Sequence, residues 1–310
     1  MLVFLRAGFN HSIVFYLCTV PVKKQPVIPR KKPAVKRKAP VKKKQPAISN
    51  SVKLTVISII LLILLSPFYY GYVLKTASAT WRWIMDIGED PHYRTYKSFN
   101  IRIPSKYRIH GIDVSYAQGK IDWQRVAAME EDSVRIRFAF IKATEGLLTV
   151  DPYFKRNWRE APKAGITCGA YHFFRPKKNG VWQARFFLQN AHTEKGDLPP
   201  VVDIERLDGA SPQAMRKELK AYLAHIEARV GVKPIIYTGL SFYQDYLEGY
   251  FDDYILWIAH YNKPELRAGN GTNWRFWQHS ETGLINGIGH TVDFDAFKGD
   301  STTFNQLLVR

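Results

Sequence analysis

Two carboxylates two residues apart, Asp203 and Glu205, close the run Val201-Val202-Asp203-Ile204-Glu205. The run follows Pro199-Pro200 and is otherwise apolar, the pattern of a short buried strand. Side chains alternate along a strand, so the two acids share one face and Ile204 takes the other. Carboxylates held side by side do not ionise independently, and one of the pair should keep its proton to a higher pH. A carboxylic acid that is still protonated near neutral pH can donate to a leaving oxygen, which cleavage of a glycosidic bond requires. A lone D-x-E is more often a strand end in water; here the surrounding sequence favours a site.

Strand patterns fall at 110–115, 138–143, 168–174, 201–205, 234–238, 255–260, 276–279 and 292–297. Helical periodicity falls at 122–131, 152–163, 182–193 and 211–229. In the last of these Ser211 can cap, Pro212 takes the first helical position and Gly231 follows the end. Strands alternating with helices predict an α/β fold, a single-domain TIM-like β/α barrel over 107–310. The later connections are too short for full helices, so the barrel should be irregular.

Reactive groups of such a barrel collect at the C-terminal strand ends. The sequence places there Asp113, Lys142 with Glu145, Tyr171 with His172, Asp203 with Glu205, and Tyr237. It adds Trp257 through Tyr261, Trp277 with Gln278, and Asp293 with Asp295. Together they predict an acidic, aromatic-lined cleft suited to a sugar polymer. Asp113 interrupts an apolar strand, where an unpaired carboxylate is costly, which favours a site role. Glu145 reads equally as a substrate contact and as a loop-closing salt bridge. His172 between aromatics reads as a hydrogen-bonded core histidine. No H-E-x-x-H spacing, G-x-S-x-G elbow, phosphate loop or dinucleotide glycine pattern occurs, and no cofactor or metal is implied. The two cysteines, Cys18 and Cys168, lie on opposite sides of a hydrophobic segment, which argues against an intrachain disulfide.

The formal charge of +18 belongs to a tail: residues 1–53 hold thirteen of the 45 Lys and Arg and no acid. Residues 22–53 mix Lys and Arg clusters with Pro, as in PVIPRKKPAVKRKAPVKKKQP. Such a segment cannot bury a core and should be a disordered linker. Residues 54–74 open with LTVISIILLILLSPFYYGYV, long enough to cross a bilayer as one transmembrane helix. The positive-inside rule then predicts a cytoplasmic N-terminus and an extracytoplasmic barrel on the periplasmic or cell-wall side. Lipid is the expected partner of the span; no nucleic acid or obligate protein partner is expected. Residues 75–106 read as a stalk, and the apolar stretch 1–21 takes no assignment.

The pieces GIDVSYAQGKIDW from Gly111, FIKATEG from Phe140, GAYHFF from Gly169, VVDIE from Val201, IIYTG from Ile235, LWIAHY from Leu256, FWQHS from Phe276 and VDFDAF from Val292 occur in order. In this the chain resembles the glycoside hydrolase family 25 lysozymes, the Chalaropsis-type muramidases, over about 108–300. The resemblance implies hydrolysis of the β-1,4 bond between N-acetylmuramic acid and N-acetylglucosamine in peptidoglycan. It implies Glu205 as general acid/base, with Asp203 stabilising positive charge or orienting the substrate's 2-acetamido group. It makes Asp113 and Asp293 the other acids of the cleft. Tyr171, Tyr237, Gln278, Trp257 and Glu145 are the expected substrate contacts. Two departures stand out: Asp295 where the family commonly has Asn, and His279 where Tyr is frequent. A peptidoglycan-binding membrane protein that has lost turnover is the rival reading.

Overall fold

The structure, a computed structural model, describes residues 49–65, 92–269 and 271–310. The chain divides into two compact units, Met1–Leu74 and Lys75–Arg310. In the first, helix α1 (Asn50–Leu64) exposes apolar side chains at successive positions, among them Ile59, Ile60 and Leu61. Among the described residues no helix is long and apolar enough to cross a membrane. The expected span continues through 66–74, outside the described residues, as do 1–21, 22–48 of the basic tail and 75–91 of the stalk.

The second unit is a mixed α/β domain built on eight strands. These are β3 (Ile109–Val114), β4 (Val134–Glu145), β5 (Thr167–Phe173), β6 (Val201–Asp203), β7 (Ile235–Gly239), β8 (Leu256–Ala259), β9 (Trp274–Gly283) and β10 (Val292–Phe297). They pair in sequence order, and β10 returns to β3 to close the barrel. Crossover helices follow the first four: α2 (Trp123–Ala128), α3 (Phe154–Lys163), α4 (Gly180–Asn190) and α5 (Pro212–Val230). As expected, Ser211 caps α5 by accepting from Ala214 N at 3.2 Å, and Gly231 ends it in the left-handed region at φ 80°. After β7 only a turn at Leu240–Phe242 and a π-helical turn at Tyr243–Leu247 remain.

The TIM-like expectation therefore needs correcting. A TIM barrel has eight parallel strands, each followed by a helix; here β10 runs antiparallel to both β9 and β3. Residues 284–291 between β9 and β10 are too few for a parallel crossover, which takes a dozen or more residues. A final helix, α6 (Ser301–Leu307), follows β10.

The stalk expectation is also corrected at its end. An antiparallel hairpin, β1 (Tyr93–Tyr96) paired with β2 (Ile101–Pro104), packs on the barrel. Strands β9 and β10 carry no crossover helix, so their outer faces need another cover. Tyr96, Phe99, Ile101 and Ile103 of the hairpin are buried, and the Phe99 ring meets the edge of Phe294 at 5.5 Å. The Phe99 carbonyl accepts from Leu284 N at 2.9 Å.

Alternation along β4 sends Phe138 and Phe140 into the barrel and Ala139 and Ile141 toward the helices. Phe140 stacks on Trp257 at 4.3 Å, and Phe138 meets Phe276 at 5.3 Å. Gly111 makes room for this layer: a Cβ there would lie 2.4 Å from the Phe138 ring. Gly111→Ala should cost about 1–3 kcal/mol through overpacking, read as a lower urea midpoint at unchanged slope. A midpoint equal to the parent's would mean the interior is loosely filled.

Candidate active site

The parallel strands end, and β10 begins, at one mouth of the barrel. Inward-facing residues just above the aromatic layer are Asp113 of β3, Tyr171 of β5, Asp203 of β6, Tyr237 of β7, Gln278 of β9 and Asp293 of β10. Asp113 and Asp293 are direct cross-strand neighbours because β10 runs antiparallel in that register. Strand β6 stops at Asp203, but Ile204 N still donates to Tyr237 O at 3.0 Å. That bond holds the next residue, Glu205, at the mouth, half-buried, with electrostatic contact to Asp203, Tyr237 and Asp293.

Gln278 organises the floor of the site. Its Nε2 donates to Asp113 Oδ2 at 2.6 Å. Its Oε1 accepts from Tyr237 Oη at 2.8 Å and Tyr261 Oη at 2.5 Å. A side-chain amide with both ends so engaged has one orientation. Tyr261, two inward positions beyond Trp257, lies at the strand end as expected but is not among the expected substrate contacts. The signal was present: a period of two from Trp257 through Ala259 reaches it.

The electrostatics follow from crowding carboxylates in a low-dielectric space. Burial, then Asp293 and Asp295, push the Asp113 carboxyl well above the usual range, with Gln278 pulling the other way. Burial, then the charge of Glu205, does the same to Asp203, against Lys142. Asp203 Oδ1 is buried and has no hydrogen-bond partner among the described residues. Burial, then Glu281 and Glu205, raises Asp293 to about 6. Asp203 thus keeps its proton to a higher pH, as the crowded pair requires of one member. Burial also pushes the Tyr171 and Tyr237 hydroxyls up, so both remain hydrogen-bond donors.

Two expected substrate contacts sit elsewhere. Trp257 is 1% exposed, one layer below the mouth, between Phe140 and Tyr237. Its Nε1 donates to Asp295 Oδ1 at 2.7 Å, so it supports the site from beneath. Asp295 is fully buried, and burial raises its carboxyl well above the usual range despite that bond. Glu145 pairs with Lys142 at 2.9 Å and Arg175 at 2.5 Å, and Arg175 reaches Asp208 at 3.0 Å. Burial alone would raise Glu145, but the two cations outweigh it and hold it low. This chain of ion pairs ties the ends of β4 and β5 to the loop after β6, the salt-bridging alternative for Glu145.

His172 is a core histidine, stacked on Tyr222 at 5.2 Å. The amide nitrogen of Gln183 donates to the carbonyls of Arg175 and Lys178, so its oxygen faces the imidazole. Nε2 then donates to Gln183 and Nδ1 accepts from Thr144 Oγ1 at 2.7 Å. Among the described residues no cluster of three His, Cys, Asp or Glu side chains is arranged to hold a metal ion.

The raised acids carry a consequence for stability. A carboxyl whose folded pKa exceeds its unfolded value binds more protons when folded, so its contribution is full at low pH and is lost as pH rises through the folded value. For Asp293 that window runs from the ordinary value of 3.8 to about 6. Asp293→Asn should therefore stabilise the domain by about 1–2 kcal/mol at pH 8 and by nothing at pH 3. Chemical denaturation at the two pH values measures this, and a gain equal at both would contradict it.

The family model for glycosyl hydrolases family 25 matches residues 112–288. YegX of Escherichia coli K12 is 49% identical over 209 residues, 67% of this chain and 76% of YegX. Lysozyme M1 of Streptomyces globisporus is 36% identical over 208 residues, 62% of this chain and 69% of that protein. The crystal structure of the bacterial lysozyme from Streptomyces coelicolor superposes with a TM-score of 0.59 at 34% identity, covering 64% of this chain and 96% of that one. The matched span runs from β3 through β9 and contains Asp113, Asp203, Glu205 and Gln278. The chain belongs to glycosyl hydrolases family 25 and is a glycoside hydrolase.

Proposed function

We propose that the chain is a membrane-tethered muramidase, cutting the β-1,4 bond between N-acetylmuramic acid and N-acetylglucosamine in peptidoglycan. The observation that carries this reading is a reachable Glu205 beside a buried Asp203 at the barrel mouth. Similarity to proteins named lysozyme supports a wall glycan as the substrate. Glu205, on the open side, protonates the leaving oxygen and later takes a proton from the incoming water. Asp203, with Oδ1 unpaired, accepts from the N–H of the sugar's 2-acetamido group and orients it at the anomeric carbon. Asp293 places negative charge where the oxocarbenium-like state becomes positive, and Asp113, fixed by Gln278, lines the floor beneath it. The Tyr171 hydroxyl donates to a substrate oxygen, and Tyr237, whose proton goes to Gln278, accepts from a sugar hydroxyl.

The tether rests on α1, apolar at successive exposed positions, on the uncharged sequence continuing to Val73, and on the basic tail before it. It puts the tail in the cytoplasm and the barrel against the wall.

Glu205→Gln should lower release of reducing ends from purified peptidoglycan at least about a hundredfold, with the fold intact by circular dichroism; near-parental activity would remove Glu205 from the chemistry. Deleting residues 1–75 should move the protein from the membrane to the soluble fraction and leave wall hydrolysis in place. Continued membrane sedimentation of that variant would contradict the tether.

A further inference from the structure

The hairpin β1–β2 lies outside the span that matches the family, and it does more than cover apolar surface. Between it and β9 is a cavity of about 220 Å³, lined by Asn100 and Arg102 of the hairpin and by Asn262, His279, Ser280 and Thr282 of the barrel. At about 30 Å³ per water it holds roughly seven waters, enough for a small polar group. The lining, which also includes Tyr93 and Ile101, carries a cation, two amides, three hydroxyls and an imidazole, and no carboxylate.

The barrel wall of the cavity is continuous in sequence with residues of the mouth, through an irregularity in β9. Its register with β10 shifts between Gln278 and Ser280 and again between Ser280 and Gly283. Such bulges re-aim side chains. Gln278 points into the mouth, whereas His279, Ser280 and Thr282 line the hairpin side. Glu281, between the two hydroxyl residues, acts electrostatically on Asp293 and Tyr261 in the mouth. Asn262 directly follows Tyr261, which binds Gln278. His279 is 3% exposed and neither ring nitrogen has a partner among the described residues. The Arg102 guanidinium is held over the Tyr93 ring at 4.5 Å, a diagonal cross-strand contact, and is not paired with a carboxylate among the described residues.

We propose that this cavity is a subsite for the carboxylate-bearing peptide substituent of the glycan, with Arg102 binding a peptide carboxylate and Ser280, Thr282 and Asn262 binding its amides. The proposal rests on the muramidase reading. A glycan strand in the mouth then sends its acidic side chain over the β9 rim into the hairpin's grip, and the hairpin makes the enzyme selective for peptide-bearing strands.

The test compares kcat/KM on peptidoglycan with its peptides and on the same glycan stripped of them by an amidase. The preference ratio should fall about tenfold in Arg102→Ala, the worth of one charge-assisted hydrogen bond. A smaller fall in the same direction is expected for Ser280→Ala combined with Thr282→Val. Arg102 is exposed, so its loss should leave the thermal midpoint near the parent's. An unchanged ratio in both variants would overturn the subsite while leaving the muramidase reading in place. Failure of the parent to cut either material would overturn the muramidase reading and the subsite with it.

Discussion

Carboxyl groups buried together without a matching cation set the terms for this molecule. Asp113, Asp203 and Asp295 are each at most 8% exposed, and Asp293 is half-buried beside them. The cation that acts most on Asp203, Lys142, is committed to Glu145 at 2.9 Å. An ionised carboxylate left unpaired in such a place costs several kcal/mol, against a total stability of roughly 5–15 kcal/mol for a domain. The fold meets this by raising the acids' affinity for protons and by giving them neutral partners. Gln278 donates to Asp113 and Trp257 to Asp295. Those partners stay in place because the aromatic layer of Phe138, Phe140 and Phe276 is packed beneath them.

The antiparallel last strand serves the same end. A helix-linked parallel strand would present its C-terminus at the mouth; β10 instead enters there, which sets Asp293 opposite Asp113 and puts Asp295 one layer below. The missing crossover helices leave the outer faces of β9 and β10 uncovered. The hairpin at 93–104 closes that flank through Phe99 and Phe294. Chemistry in the mouth and the accessory cavity on the flank thus share one cause, the short 284–291 connection.

Much of this was legible in the residues, and the failures have physical reasons. All eight barrel strands fall where alternation and apolar runs placed them, because a barrel strand must pack on both faces. The D-x-E run, Asp113 and Gln278 were readable as polar groups gathered at one end of the barrel, since polar groups in apolar strands stand out. Trp257 misled because an inward aromatic looks alike in the floor and in the mouth; the difference is one strand layer, which the sequence does not number. Glu145 was ambiguous because its partner Arg175 lies thirty residues away, and long-range ion pairs leave no periodicity. The hairpin was read as a stalk because its strands are four residues each, too short for alternation to show. The direction of β10 depends on loop length and not on its own pattern.

The most direct test of the account is to digest defined peptidoglycan with the purified protein, reduce the new ends with borohydride and identify the terminal sugar by mass spectrometry. Hydrolysis by Glu205 beside Asp203 at the bond proposed here yields reduced N-acetylmuramic acid at every new end. Reduced N-acetylglucosamine, or unreduced anhydro ends formed without water, would contradict the account.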